Sequence, residues 1–288
     1  MRPRTLWYAW FVAFDTETQR RMALNERNWD ARTPIHVRSD FYALGRRDPL
    51  EWILPFEWDA LGSLAGKDVA HLQCHLGVET MGLAKAGART VGLDFSARAV
   101  EQADIAARHE NLDVSYVRAD VYDAIDALGG NRFDVVYTGK GALCYLPDLA
   151  RWAEVVTGLL RPRGFLYLVE FHPLLSAFGL TARPGEPVDL TVRHDYLEGR
   201  GPVERDSSHT YTDGPPLAGD TVHYEWPHSL GEVVTALSRA GLRIDHLTEP
   251  DVLPFPRWPG MVRTDYGWWR TGDDMPHVPT LYALKASR

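Results

Sequence analysis

The chain has 288 residues, 45% hydrophobic and 24% charged, with a formal net charge of -8. That length allows one large domain or two small ones, and the acidic balance carries no electrostatic footprint for nucleic acid. Two cysteines, Cys74 and Cys144, are too few for a disulfide framework and fit a reducing, cytoplasmic setting.

The apolar run at 6–14 follows two arginines but is short, and Asp15 and Glu17 follow it without a small-residue cleavage pattern. No stretch reaches the roughly 20 apolar residues a bilayer span needs, so no membrane partner is expected. Residues 6–14 read as an aromatic helix or arm packed on the body. The whole segment 1–65, helical around 17–30, reads as a cap.

From residue 66 the pattern alternates between strand and helix, the signature of a parallel α/β sheet. "DVAHLQC" (68–74) is a first strand, and "GVETMGLAKAG" (77–87) a helix closed by Gly87. "TVGLDF" (90–95) follows, with Ser96 placed to cap the helix "ARAVEQADIAARHE". Strands are expected at 114–120, 133–139 and 165–171, with an amphipathic helix at 148–164.

Residues 172–227 lose this periodicity and read as a lid or an inserted small sheet. A helix at 228–241, with Ser229 and Glu232 as a capping box, precedes two final strands at 242–249 and 280–287. The expected fold is therefore α/β and Rossmann-like. It has a seven-stranded, mostly parallel sheet with an antiparallel last strand and helices on both faces. The core would be 66–171 and 228–288, with an N-terminal helical cap (1–65) and an inserted lid (172–227).

Such sheets bind ligands at the carboxyl ends of their strands. The first strand aims "QCHLG" at that edge, where Gly77 permits a tight turn and the helix behind it favours an anionic group. Asp94 stands 17 residues after Gly77, where a carboxylate can accept from both hydroxyls of a ribose. Asp120 can accept from an exocyclic amine such as that of adenine, and Thr138 reaches the same edge.

This constellation resembles the class I S-adenosylmethionine (SAM)-dependent methyltransferases. The stretches "NWDARTPIHVRSDFY", "HLQCHLGVETMGLAKAGARTVGLDFS", "LPDLARWAEVVTGLLRPRGFLYLVEFHP" and "YEWPHSLGEVVTALSRAGLRI" are similar to a narrower bacterial small-molecule subfamily, whose first motif is a Leu-Gln-Cys-His run. The resemblance implies that Gln73, His75 and Gly77 line the methionine part of SAM. It also implies that Asp94 binds the ribose beside Phe95, that Asp120 and Val121 edge the adenine, and that Thr138 closes the site. S-adenosylhomocysteine (SAH) would be the product. His71 departs from the acid common at its position, so a backbone carbonyl or Glu79 would take the SAM ammonium group.

On the acceptor side, His172 follows the fifth strand and can orient or deprotonate an acceptor, or else hold the lid backbone. Tyr42, Tyr145 and His228 are further substrate candidates, with His36 weaker. His71, Cys74 and His75 could suit zinc, but neighbouring strand residues point to opposite faces, so no metal is expected. Cys144 reads as a small apolar residue near the pocket. Nine of ten tryptophans lie outside 66–170, where they can seal the added pieces or wall a small-molecule pocket.

The expected activity is methyl transfer from SAM to an oxygen or nitrogen of a small, ring-containing or secondary-metabolite acceptor by direct in-line displacement. Alternatives are an NAD(P)-dependent oxidoreductase, a nucleic-acid methyltransferase and a non-enzymatic SAM-fold protein. The first lacks a Gly-x-Gly-x-x-Gly run and a Tyr-x-x-x-Lys pair, and the second runs against the acidic balance. The oligomeric state is not legible.

Overall fold

The apolar runs of the chain's middle become the strands β1 (Asp68–Leu72), β2 (Arg89–Asp94), β3 (Val114–Arg118), β4 (Phe133–Thr138) and β5 (Leu160–Phe171). In this computed structural model, which describes residues 13–178, 191–273 and 275–288, they pair in parallel. Residues 6–12 of the expected aromatic arm (6–14) and the lid's middle (179–190) lie outside the described residues.

A short hairpin, β6 (Val203–Asp206) and β7 (Val222–Glu225), stands apart from the main sheet. β8 (Arg243–Thr248) returns to the sheet. The Pro- and Trp-rich connection that follows is not a plain loop. It holds a small antiparallel sheet of β9 (Val252–Leu253), β10 (Val262–Arg263) and β11 (Trp269–Arg270). β12 (Leu281–Ser287) then inserts antiparallel between β5 and β8, giving a seven-stranded order β3-β2-β1-β4-β5-β12-β8. The expected sheet is present, with its antiparallel last strand.

Among the described residues the helices are α1 (Thr16–Arg38), α2 (Pro55–Leu61), α3 (Val78–Lys85), α4 (Ala97–His109), α5 (Ala124–Ala127), α6 (Leu149–Leu159), α7 (Pro173–Ala177) and α8 (Leu230–Arg239). Successive strand residues point to opposite faces. Ala70, Leu72 and Val136 therefore join Trp152 and Leu237 of α6 and α8, while Val69, Val135 and Tyr137 pack toward Leu61, Leu83 and Trp268. Ser96 caps α4 by accepting from the Ala99 amide at 3.1 Å. Ser229 caps α8 in the same way, but the expected capping box is only half formed, because Glu232 turns back to His228 at 2.8 Å.

The cap is held differently. The buried face of α1 carries Asn25, Asn28, Arg32, Thr33 and His36, so its docking is polar. Asn25 donates to the Tyr224 carbonyl at 2.8 Å and accepts from the Tyr224 amide at 2.7 Å, extending the edge of β7 with a side chain. On the other side Asp30 accepts from the Ser96 hydroxyl at 2.6 Å and the Arg98 amide at 3.1 Å, at the N-terminus of α4. Such contacts fix orientation closely because a misplaced helix leaves each buried polar group unpaired. α1 thus bridges β7 and the start of α4.

Candidate active site

β1 ends at Leu72, and residues 73–77 turn rather than continue as strand. Gln73 (φ 57°), His75 (φ 48°) and Gly77 (φ 66°) all adopt left-handed backbone. Only glycine does so freely; each of the other two stores roughly 1 kcal/mol or more. The alternation of faces assumed for Cys74 and His75 therefore does not apply, since the strand has already stopped. Among the described residues no group of three or more His, Cys, Asp or Glu side chains could hold a metal ion.

Gly77 serves a different neighbour from the one expected. A Cβ there would collide with the Tyr116 hydroxyl and ring, so the missing side chain admits a ring from β3. Gly77→Ala should lower stability by about 2–4 kcal/mol, combining left-handed strain with overpacking. Urea unfolding measures this, and a loss below about 1 kcal/mol would mean that Tyr116 swings away.

Gln73 donates to the Ala142 carbonyl at 2.9 Å, tying the turn to the loop after β4, while its Oε1 is buried without a partner. Asp94 is buried and accepts from the amides of His75 at 2.8 Å and Ser96 at 2.9 Å. Burial raises its pKa to about 6, against the lowering effect of those amides. Asp120 accepts from the Tyr122 amide at 2.9 Å, and its carboxyl is likewise raised by burial.

Gln73, Phe95, Asp120 and Val121 line one cleft, closed by Met22 and Asn25 of α1 and by Tyr145 and Leu146. Asp94, His75, Gly77 and Thr138 are not among the lining side chains. Thr138 is fully buried with its hydroxyl unpartnered.

Beside this cleft lies a cluster of packed rings, and Tyr145 belongs to both. Trp29 sits edge-on to His75 (4.9 Å between centroids), Tyr145 (5.3 Å) and His36 (5.9 Å), and Tyr211 packs on His36 at 4.8 Å. Tyr42 is buried, stacks on Trp52, and pairs its hydroxyl with that of Tyr211. His36 Nδ1 lies 2.8 Å from His75 Nε2, and its Nε2 lies 2.6 Å from the Thr210 hydroxyl. Burial pushes His36 down to about 2, with His75 and Arg32 adding to it, and His75 down to about 3, with Arg32 adding. Both rings are neutral near pH 7.

The remaining candidates have structural partners. His172 Nδ1 accepts from the Leu174 amide at 3.1 Å as the cap of α7, which leaves the proton on Nε2, 2.8 Å from Glu249. With both nitrogens engaged, His172 has no lone pair for an acceptor's proton, so its positioning and base role is not supported by this geometry. His228 clamps the Leu146 carbonyl and Glu232, both at 2.8 Å.

His71 is a core residue, with Nδ1 2.8 Å from the Thr80 hydroxyl. Its pKa is pushed to about 3 by burial and then by Lys140. Glu79 faces inward near Lys140 (3.7 Å), which lies 3.2 Å from Glu57. Cys144, next to Tyr145, is a half-buried thiol whose pKa burial pushes up.

Sequence reasoning missed Trp29, Arg32, Tyr211, His223 and Glu170. The helical spacing of Met22, Asn25, Trp29, Arg32 and His36 was a usable signal, since it places all five along one side of α1.

The residues suit SAM: acids at two strand ends, apolar walls at Phe95 and Val121, and orphaned polar atoms on Gln73, His75 and Thr138. Residues 70–166 match a family described as a methyltransferase domain. A ubiquinone biosynthesis O-methyltransferase from Ralstonia nicotianae is 29% identical over 193 residues, covering 65% of this chain and 76% of that protein. One of the same name from Aromatoleum aromaticum is 28% identical, covering 65% and 77%. In fold, a SAM-dependent methyltransferase from Mesorhizobium loti superposes with a TM-score of 0.55 at 22% identity, over 81% of this chain and 97% of that one. The domain match over 70–166, these relatives and a sheet of this topology together support a SAM-dependent methyltransferase.

Proposed function

We propose that the enzyme methylates an oxygen of a ring-bearing small molecule held against the ring cluster under α1, as a member of the Leu-Gln-Cys-His subfamily. The observation carrying this is the cluster of Trp29, Tyr42, Tyr145 and Tyr211 immediately beside His75 of the cofactor turn. Rings of this kind suit a flat acceptor and exclude water.

SAM supplies an electrophilic methyl group whose transfer needs no metal. Gln73, Asp94, Phe95, Asp120 and Val121 would hold it, with His75, Gly77 and Thr138 shaping the turn and the strand edge around it. Cap and lid, 1–65 and 172–227, enclose the acceptor over the core of 66–171 and 228–288. The protein's main contribution is to hold the acceptor oxygen in line within a dry site.

A phenol must lose its proton before attack. His75 Nδ1 is a buried, unpartnered nitrogen in the ring cluster. Held neutral by burial, His75 would accept a hydrogen bond from the acceptor hydroxyl at Nδ1 and orient it, a place His172 does not have. The names of the O-methyltransferase relatives also favour oxygen.

Labelled SAM incubated with paired phenols and anilines tests the reading. Methyl ethers are expected, and Trp29→Ala should raise the acceptor KM about tenfold while leaving SAH affinity within about twofold. Label appearing only on the anilines would overturn oxygen as the acceptor atom.

A further inference from the structure

Arg32 is only 5% exposed, yet it has no carboxylate within 4.0 Å among the described residues. Its Nη2 lies 3.2 and 3.3 Å from the two ring nitrogens of His223, and its guanidinium sits 5.2 Å from the Trp29 ring. Its Nε is buried with no partner among the described residues. The nearby carboxylate, Glu225, is already engaged by Arg205 at 3.1 Å and by His223 at 3.5 Å. The carboxylate beside His223 is thus already taken by other partners. A buried charge without a counter-ion is among the costliest arrangements a fold can hold, and it persists where an anion arrives to meet it.

The surroundings say where that anion comes from. Arg32 projects from α1 toward β7, and its positive charge is felt at Tyr145 and Tyr211 as well as at His36 and His75. Tyr145 stands between Trp29 and His223, with centroids 5.3 and 6.3 Å away. A flat ring lodged against these side chains would carry a substituent to the free edge of the guanidinium. The planar fork of arginine matches a carboxylate with two parallel hydrogen bonds.

We infer that Arg32 anchors a carboxylate on the methyl acceptor, so that the substrate class is an aromatic acid, with its ring against the cluster and its acid group at the α1–β7 seam. This deepens the ring-cluster reading and rests on it. Arg205 and His223 act as positioning residues that keep Glu225 from neutralising Arg32.

Calorimetric titration of SAH-loaded enzyme with 4-hydroxybenzoate and with phenol tests the inference. Wild type should bind the acid at least about tenfold more tightly. Arg32→Met should abolish that preference, and Arg32→Lys, which keeps the charge but loses the fork, should keep part of it. SAH affinity of Arg32→Met should stay within about twofold of wild type.

A wild type that binds both probes alike, or neither, overturns the aromatic-acid assignment, while intact SAH binding leaves the methyltransferase reading standing. A tenfold loss of SAH affinity in Arg32→Met overturns it differently, by assigning Arg32 to the carboxylate of the cofactor. If Arg32→Met does not fold, Arg32→Lys decides: a full wild-type preference for the acid contradicts the bidentate anchor.

Discussion

Glu170→Leu is expected to remove about 3–5 kcal/mol of stability, the largest loss of any single substitution discussed here. Glu170 ends β5, buried, and accepts four backbone amides: Gly141 at 2.5 Å, Phe171 at 2.6 Å, and Ala142 and Leu143 at 2.8 Å. One side chain thus satisfies most of the loop after β4. Leucine of similar size would leave those donors buried and unpaired, at about 1–3 kcal/mol each before the loop relaxes.

Burial raises the Glu170 carboxyl while each amide bond pulls it back. Glu170→Gln, which keeps acceptor capacity on one atom, should lose about half as much. The loop also carries Tyr145 and the Ala142 carbonyl that receives Gln73, so SAH affinity should fall along with stability. Urea midpoints with an unchanged slope would confirm a local loss. A Glu170→Leu variant within about 1 kcal/mol of wild type would show that the loop finds other partners.

For Asp94→Asn the expected effect is on the ligand rather than on the fold. SAH affinity should drop about 10- to 100-fold, the range for losing charge-assisted hydrogen bonds to buried hydroxyls. The wild-type dependence on pH follows from the same carboxylate. Its folded pKa, about 6, lies above the ordinary 3.8, because burial outweighs the two amides that stabilise the charge. A ligand that needs the ionised form therefore binds more weakly as pH falls through about 6, by about tenfold at pH 5.

The stability of the free protein runs the other way. The folded state takes up this proton more readily than the unfolded chain. The resulting stabilisation is fully present below the unfolded pKa and is lost as pH rises through about 6. Titrations of SAH from pH 5 to 8 should slope in wild type and flatten in Asp94→Asn. A flat wild-type profile would separate Asp94 from the ribose.

Much of the fold was legible because period-2 and period-3.6 patterns report burial directly. The strands at 68, 90, 114, 133 and 165 were readable from apolar runs bounded by turn residues, and Ser96 and Ser229 from their capping chemistry. The hairpin β6–β7 was legible only as a lid or an inserted small sheet without strand positions, since its strands alternate weakly and it is held by α1 across nearly 200 residues of sequence, as the Asn25–Tyr224 bonds show.

Asp94 and Asp120 were identifiable as strand-end acids. Their partners were not, because backbone amides carry no sequence signal. Gln73 and His75 could be placed only by likeness, and their left-handed backbone explains why glycine would be the easier choice. His172 misled because position alone said nothing of Leu174 and Glu249. Arg32 escaped notice because the absence of a carboxylate beside it among the described residues is visible only in three dimensions.

A crystal structure of the enzyme with SAH tests the central claim most directly. The adenosine should lie between Phe95 and Val121, with Asp94 at the ribose and Asp120 at the adenine. The sulfur should face the ring cluster of Trp29, Tyr145 and Tyr211. Adenosine density elsewhere, or a sulfur turned away from these rings toward His172, would contradict the account.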